Sequence, residues 1–228
     1  MTVLNILYHD EFLVAINKPH GLMVHKTPIA ADADEFALQL LRKQIGRTVY
    51  PVHRIDRKTG GILLFALDKQ TEINMQRQFM AAEVRKKYLA IVRGHTAAFG
   101  EIDYPIRKEN GALQTALTNY ATLKQAELDI PFGNHSTSRY SLVEATPATG
   151  RMHQLRKHFS HIFHPIIGDR THGCNKQNKL FTENWNMNTM LLHASEISFK
   201  HPCNEAVVTI VAPVHSEFAR VMQLMGWD

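Results

Sequence analysis

The segment His53-Arg54-Ile55-Asp56-Arg57-Lys58-Thr59-Gly60-Gly61 sets one acid among cations. Asp56 has His53, Arg54, Arg57 and Lys58 as close neighbours, and a carboxylate surrounded by positive charge is held ionised at neutral pH. The paired glycines allow another backbone or a ligand to come close. This pattern suits an aspartate that acts as a nucleophile, or that stabilises developing positive charge, on a polyanion. The same residues are also compatible with a solvated surface turn. Lys58-Thr59-Gly60 matches one element of the serine β-lactamases, but their S-x-x-K and S-D-N elements are missing, so that match is coincidental.

A second candidate is Arg156. The spacing predicts a helix over 151–162 after Gly150, and at about 100° per residue Met152, Leu155, Phe159 and Ile162 share a narrow, core-facing arc. By that arithmetic Arg156 lies about 40° from Met152 and about 60° from Phe159, at the edge of the arc. A half-buried guanidinium either needs a carboxylate or carbonyl partner or must extend to solvent.

Basic clusters recur at Arg42-Lys43 with Arg47, Arg85-Lys86-Lys87, Arg107-Lys108, and Arg151 with Arg156-Lys157. Tyr88 directly follows the second of these. Together they suit a groove that tracks a phosphate backbone and stacks a base. Net charge of +5 agrees with an anionic partner without requiring one.

Other chemistries lack support. No G-x-G-x-x-G, G-x-x-x-x-G-K-[ST] or G-x-S-x-G occurs, so no dinucleotide or NTP cofactor and no serine elbow is expected. His153, His158, His161 and His164 are the densest of fourteen histidines, but the zincin patterns are missing. No metal is expected, and phosphate contacts or structural hydrogen bonds are the expected uses of these rings. Cys174 and Cys203 make no disulfide framework, which favours a reducing compartment. No signal peptide and no membrane span is read.

These residues need elements to hold them. Val3–Leu7 and Phe12–Ile16 predict a hairpin, Leu22–His25 a strand, and 35–45 a helix capped by Asp32 or Asp34 and closed by Gly46. Strands follow at 62–67, 87–92 and 140–145. A helix at 71–84 is predicted to bury Ile73, Phe79 and Met80. The segment 175–188 reads as a polar surface insertion. Strands at 191–199 and 206–211 pair around His201-Pro202, and an amphipathic helix spans 215–225. The fold class read from these elements is α+β, a single domain over 1–228.

Taken in order, the motifs resemble the RluA-type pseudouridine synthases. The carrying segments are Asn17-Lys18-Pro19-His20-Gly21 with Val24-His25, the Asp56 segment, and Lys87-Tyr88-Leu89-Ala90-Ile91-Val92-Arg93-Gly94. Thr149-Gly150-Arg151-Met152-His153-Gln154-Leu155-Arg156-Lys157-His158, His164-Pro165-Ile166-Ile167-Gly168-Asp169 and Leu191-Leu192-His193-Ala194 complete the set. Ile55 stands where the family usually has leucine, and Gly60 where it has serine.

The resemblance implies the α+β catalytic fold of that family, a mixed, mainly antiparallel sheet with flanking helices and a central RNA-binding cleft, and isomerisation of uridine to pseudouridine in RNA, without a cofactor. Asp56 is then the catalytic carboxylate and Arg156 its partner. Arg54 holds the flipped state, Tyr88 packs on the uracil and is a candidate acceptor of the C5 proton, and Leu192 and Ile55 wall the pocket. His53, Arg57, Lys58, Arg85, Lys86, Lys87, Arg151 and Lys157 are the expected RNA-binding residues. The S4 RNA-binding module of some relatives is expected to be absent. The Thr137-Ser138-Arg139-Tyr140-Ser141-Leu142-Val143-Glu144 segment after the polar stretch 131–138 resembles a subgroup that modifies uridine 65, in the acceptor/T-stem region of tRNA. The alternatives are the same reaction on ribosomal RNA and a non-catalytic RNA-binding protein. A cytoplasmic monomer is expected.

Overall fold

The computed structural model describes residues 2–25, 35–108 and 110–227. In chain order the elements are β1 (Asn5–His9), β2 (Leu13–Lys18), α1 (Ala37–Ile45), β3 (Tyr50–Pro51), β4 (Gly60–Ala66), α2 (Lys69–Met80), β5 (Arg85–Arg93), β6 (Phe99–Asp103), β7 (Ile106–Arg107) and β8 (Leu113–Gln114). They continue with β9 (Leu117–Leu128), β10 (Ser138–Pro147), α3 (Gln154–His161), α4 (Asn175–Trp185), β11 (Leu192–Lys200), β12 (Val207–Val211) and α5 (Ser216–Leu224). The chain forms two compact units, residues 1–86 with 194–214 and residues 87–193 with 215–228.

In the first unit the strands run β1-β2-β4-β11, with β3 against β4 and β12 against β11. The apolar runs of β2 and β4 are buried along their whole length, as strands covered on both faces must be. Alternation sorts them. Leu13, Ala15, Ile62, Leu64 and Ala66 pack with Met75, Ile197, Phe199 and Ile210. Val14, Ile16, Leu63 and Phe65 pack with Leu40 and Leu41 of α1. The antiparallel register Leu13↔Ala66 to Lys18↔Gly61 places the end of β2 beside the start of β4. Gly46 closes α1 in the left-handed region (φ 70°), its N–H donating to Arg42 O at 3.0 Å.

Two expectations fail here. Residues 22–25 form no strand; Met23 makes one isolated bridge to Phe36. Helix α2 starts earlier and stops sooner than predicted, with Asp68 as its N-cap (Thr71 N to Oδ1, 2.8 Å). It buries Thr71, Glu72 and Met75 and packs Phe79 against the core, whereas Ile73 and Met80 lie on the outer face, 36% and 79% exposed. The proposed caps of α1, Asp32 and Asp34, lie outside the described residues.

In the second unit the order is β5-β10-β9-β6, all antiparallel, with β7-β8 a separate pair. Ala90, Val92, Val143 and Ala145 meet Leu155 and Phe159 of α3 and Leu192, with Tyr88 at the margin. The structure corrects the helix predicted over 151–162. His153 takes a left-handed conformation (φ 57°), so α3 begins only at Gln154, and Met152 falls outside it, 47% exposed. The polar insertion is also corrected: 175–185 is α4, whose buried Phe181 meets Tyr140 and Trp185 edge-on.

Candidate active site

The Asp56 loop lies between β3 and β4, and the first unit ties it down in three ways. Its turn closes with Thr59 N donating to Asp56 O at 3.0 Å. Gly21 N donates to Arg57 O (2.9 Å), and Arg57 Nε donates back to Gly21 O (2.9 Å). Lys18, fully buried at the end of β2, sends its ammonium to Pro19 O (2.9 Å), Leu22 O (2.9 Å) and Arg57 O (3.1 Å). The Asn17–Gly21 motif is thus the clamp of the Asp56 loop. Burial pushes the Lys18 ammonium down to about 7, with Asp56 opposing the shift and Arg57 adding to it. Sequence reasoning placed Lys18 in a family motif without giving it this role.

Gly61 completes the anchorage. Its φ is +102°, and a Cβ there would lie 2.2 Å from Ala194 O and 2.6 Å from Ala194 N. Only glycine allows β4 to leave the loop so close to β11.

The cations around Asp56 play different parts. Arg54 and Arg57 are exposed and Lys58 is half-buried. His53 is no cation. Its Nε2 accepts the Leu64 N–H (3.1 Å), its ring stacks on Phe79 at 4.9 Å, and burial, with the Lys86 charge adding, pushes it down to about 3. Lys86 sits 6.0 Å above the same Phe79 ring and is also lowered by burial. Arg85 is exposed, and Ile55 is buried.

In the second unit, Gln154 organises the Thr149–His158 motif. Its Oε1 accepts from Thr149 Oγ1 (2.6 Å) and Arg151 N (3.0 Å), and its Nε2 donates to Leu117 O (2.9 Å) and Thr118 Oγ1 (3.0 Å). Arg156 is 5% exposed, more buried than the helical arc implied. Its Nε and Nη2 grip both oxygens of Asp169 at 2.7 and 2.8 Å. Asp169 Oδ1 also accepts Thr171 N (2.9 Å) and His172 N (3.1 Å). Burial raises the Asp169 carboxyl, but Arg156 and these N–H groups outweigh it and hold the carboxyl below its ordinary range. Sequence reasoning did not assign this partner, although Asp169 closes the quoted His164–Asp169 motif.

Tyr88 and Leu192 join the cluster that supports α3. Lys87 pairs with Glu144 at 3.6 Å, Arg151 Nε reaches Thr115 O (3.0 Å), and Lys157 Nζ reaches Arg107 O (3.4 Å). The four clustered histidines do not converge on one point. His153 bonds His172 (2.9 Å), His158 Nε2 bonds Tyr104 O (3.0 Å), His161 stacks on Tyr104, and His164 Nδ1 bonds Arg93 O (2.8 Å). Among the described residues no group of three or more His, Cys, Asp or Glu is placed to hold a metal, and no helix is long and apolar enough to cross a membrane.

Residues 12–161 match the family model for RNA pseudouridylate synthase, and the chain belongs to that family, whose enzymes isomerise uridine to pseudouridine in RNA. Its relatives include the tRNA pseudouridine synthase C of Haemophilus ducreyi, 43% identical over 98% of this chain and 96% of the relative. That of Vibrio cholerae is 41% identical over 99% and 97%. Among solved structures it is similar to human RNA Pseudouridylate Synthase Domain Containing 1 (TM-score 0.75, 25% identity, 93% of this chain and 84% of that one) and Domain Containing 4 (TM-score 0.73, 26% identity, 97% and 93%).

Proposed function

We propose that this pseudouridine synthase acts on tRNA, at uridine 65 in the acceptor/T-stem region. The observation that carries the reading is likeness along nearly the whole chain to enzymes named tRNA pseudouridine synthase C. The target base leaves its stack, at a cost of a few kcal/mol. Asp56 acts at the sugar or the ring as the N1–C1′ bond breaks, the uracil turns, and a C5–C1′ bond forms. A proton leaves C5 and one is returned to N1, so atoms and electrons balance without an oxidant.

Arg156 is the partner that aims Asp56, and the bidentate Asp169 contact supports this by fixing the guanidinium. Arg54 supports the flipped state, Tyr88 packs on the uracil and is a candidate acceptor of the C5 proton, and Ile55 and Leu192 line the pocket. Arg57, Lys58, Arg85, Lys86, Lys87, Arg151 and Lys157 contact the RNA. His53, neutral and stacked, serves the loop rather than the phosphates. One catalytic domain, working as a cytoplasmic monomer, is part of the reading.

Pseudouridine mapping in cells lacking the protein tests it. Loss of the modification from the tRNA acceptor/T-stem region is the expected result. Loss from ribosomal RNA with tRNA intact would refute the assignment.

A further inference from the structure

We propose that a cavity of about 470 Å³ in the second unit binds a phosphate group of the RNA substrate, with Arg93 as its main ligand. The proposal rests on the tRNA reading above. Arg93 ends β5, and its neighbours in the wall come from 132–139, the segment joining β9 to β10 and the start of β10.

Arg93 is half-buried, yet among the described residues its guanidinium makes no hydrogen bond or ion pair. It lies over the face of Phe132, 5.2 Å from the ring centre. A partly desolvated guanidinium without a counter-charge favours the approach of an anion. The backbone that carries it is fixed on both sides. Arg93 N donates to Pro165 O (3.0 Å), Arg93 O accepts from His164 Nδ1 (2.8 Å), and Arg93 pairs with Tyr140 in the sheet. The side chain is therefore presented from a rigid strand, with little ordering left to do on binding.

The acid in the wall, Glu127, is already engaged, accepting from Thr137 Oγ1 (2.5 Å) and Arg139 Nε (3.1 Å). The Arg93 charge is left uncompensated, while Ser136 and His135 add polar groups at the rim. A guanidinium fork matches phosphate geometry. The volume exceeds that of a phosphate alone and leaves room for the attached sugar, within the usual range of ligand sites.

The test uses the full chain and tRNA, with wild type, Arg93→Gln and Arg93→Lys compared by filter binding over a range of salt and by single-turnover isomerisation. Arg93→Gln should weaken tRNA binding about ten-fold, the scale of one charge-assisted contact. It should also flatten the salt dependence by about 0.7–0.9, the value of one phosphate contact. The turnover rate at saturating tRNA should be unchanged. Arg93→Lys should restore the salt slope, and it carries the test if the glutamine variant does not fold.

Wild-type affinity and slope in Arg93→Gln, with wild type active on tRNA, would overturn the proposal. Saturable, Arg93-dependent binding of inorganic phosphate with tRNA binding indifferent to Arg93→Gln would overturn it too, because the site would then serve a small phosphate ester. If Arg93→Gln weakens RNA binding while wild type leaves tRNA unmodified, the phosphate site stands and the tRNA reading falls.

Discussion

Replacing Asp169 by asparagine keeps the shape of the side chain and removes its charge. In the native pair the side chains of Arg156 and Asp169 are 6% and 1% exposed, joined by two parallel bonds of 2.7 and 2.8 Å. The amide oxygen of the Asp169→Asn variant can still accept Thr171 N and His172 N, but its NH₂ group turns a donor toward the guanidinium. Removing one partner of a buried pair costs about 3–5 kcal/mol, because the other charge stays buried. For a chain of this length each kcal/mol lowers Tm by about 2–4 °C, so a loss on the order of 10 °C is expected.

The pH dependence gives the sign. A carboxyl held below its ordinary range contributes stability that is complete above its unfolded value, about 3.9, and is lost as pH falls through the folded value. Urea unfolding of wild type and Asp169→Asn should therefore differ fully at pH 7 and converge as the pH is taken well below 4. Asp169→Asn should also slow isomerisation at saturating RNA, since the Arg156 guanidinium then loses the Nε bond to Oδ2 and the counter-charge that fix its orientation. A variant within about 0.5 kcal/mol of wild type at pH 7, the scale of an ordinary surface change, would refute the reasoning.

Lys18→Met removes the ammonium that holds three carbonyls and should lower turnover by loosening the Asp56 loop. A lysine depressed from 10.5 to about 7 adds stability that is complete above 10.5 and lost as pH falls through 7. Wild type should therefore gain on Lys18→Met between those values, by on the order of 5 kcal/mol at most; a difference flat from pH 6 to 10.5 in urea titrations would contradict this. Gly61→Ala would press a methyl group into the Ala194 backbone at a positive φ and should cost more than about 3 kcal/mol, enough to deplete soluble protein. An unchanged Tm in Gly61→Ala would show that β4 and β11 part more easily than their spacing implies.

Local rules read β2 and β4 well, because both are apolar runs whose alternate residues fill two clusters. They failed where the tertiary fold decides. Helix α4 has almost no apolar stripe and is held by one buried aromatic, Phe181, and by the bond from Gln177 to Tyr140. The arc drawn for Arg156 included Met152 because nothing local marks His153 as left-handed. The family motifs picked out the segments now seen to carry Lys18, Gln154 and Asp169, but not the partners these three take. Arg156 and Asp169 are thirteen residues apart and meet through a turn that pattern arithmetic cannot see. Counting His53 as a cation failed for a related reason, since only the Phe79 stack and the Leu64 bond reveal its neutral state.

The central claim is that the Asp56 carboxylate carries the chemistry. Release of tritium from tRNA labelled at C5 of uridine measures this directly. Wild type should release label from a single uridine, and Asp56→Asn, with the same fold and RNA affinity, should release none above background. Label released by Asp56→Asn at the wild-type rate would place the reaction on another group.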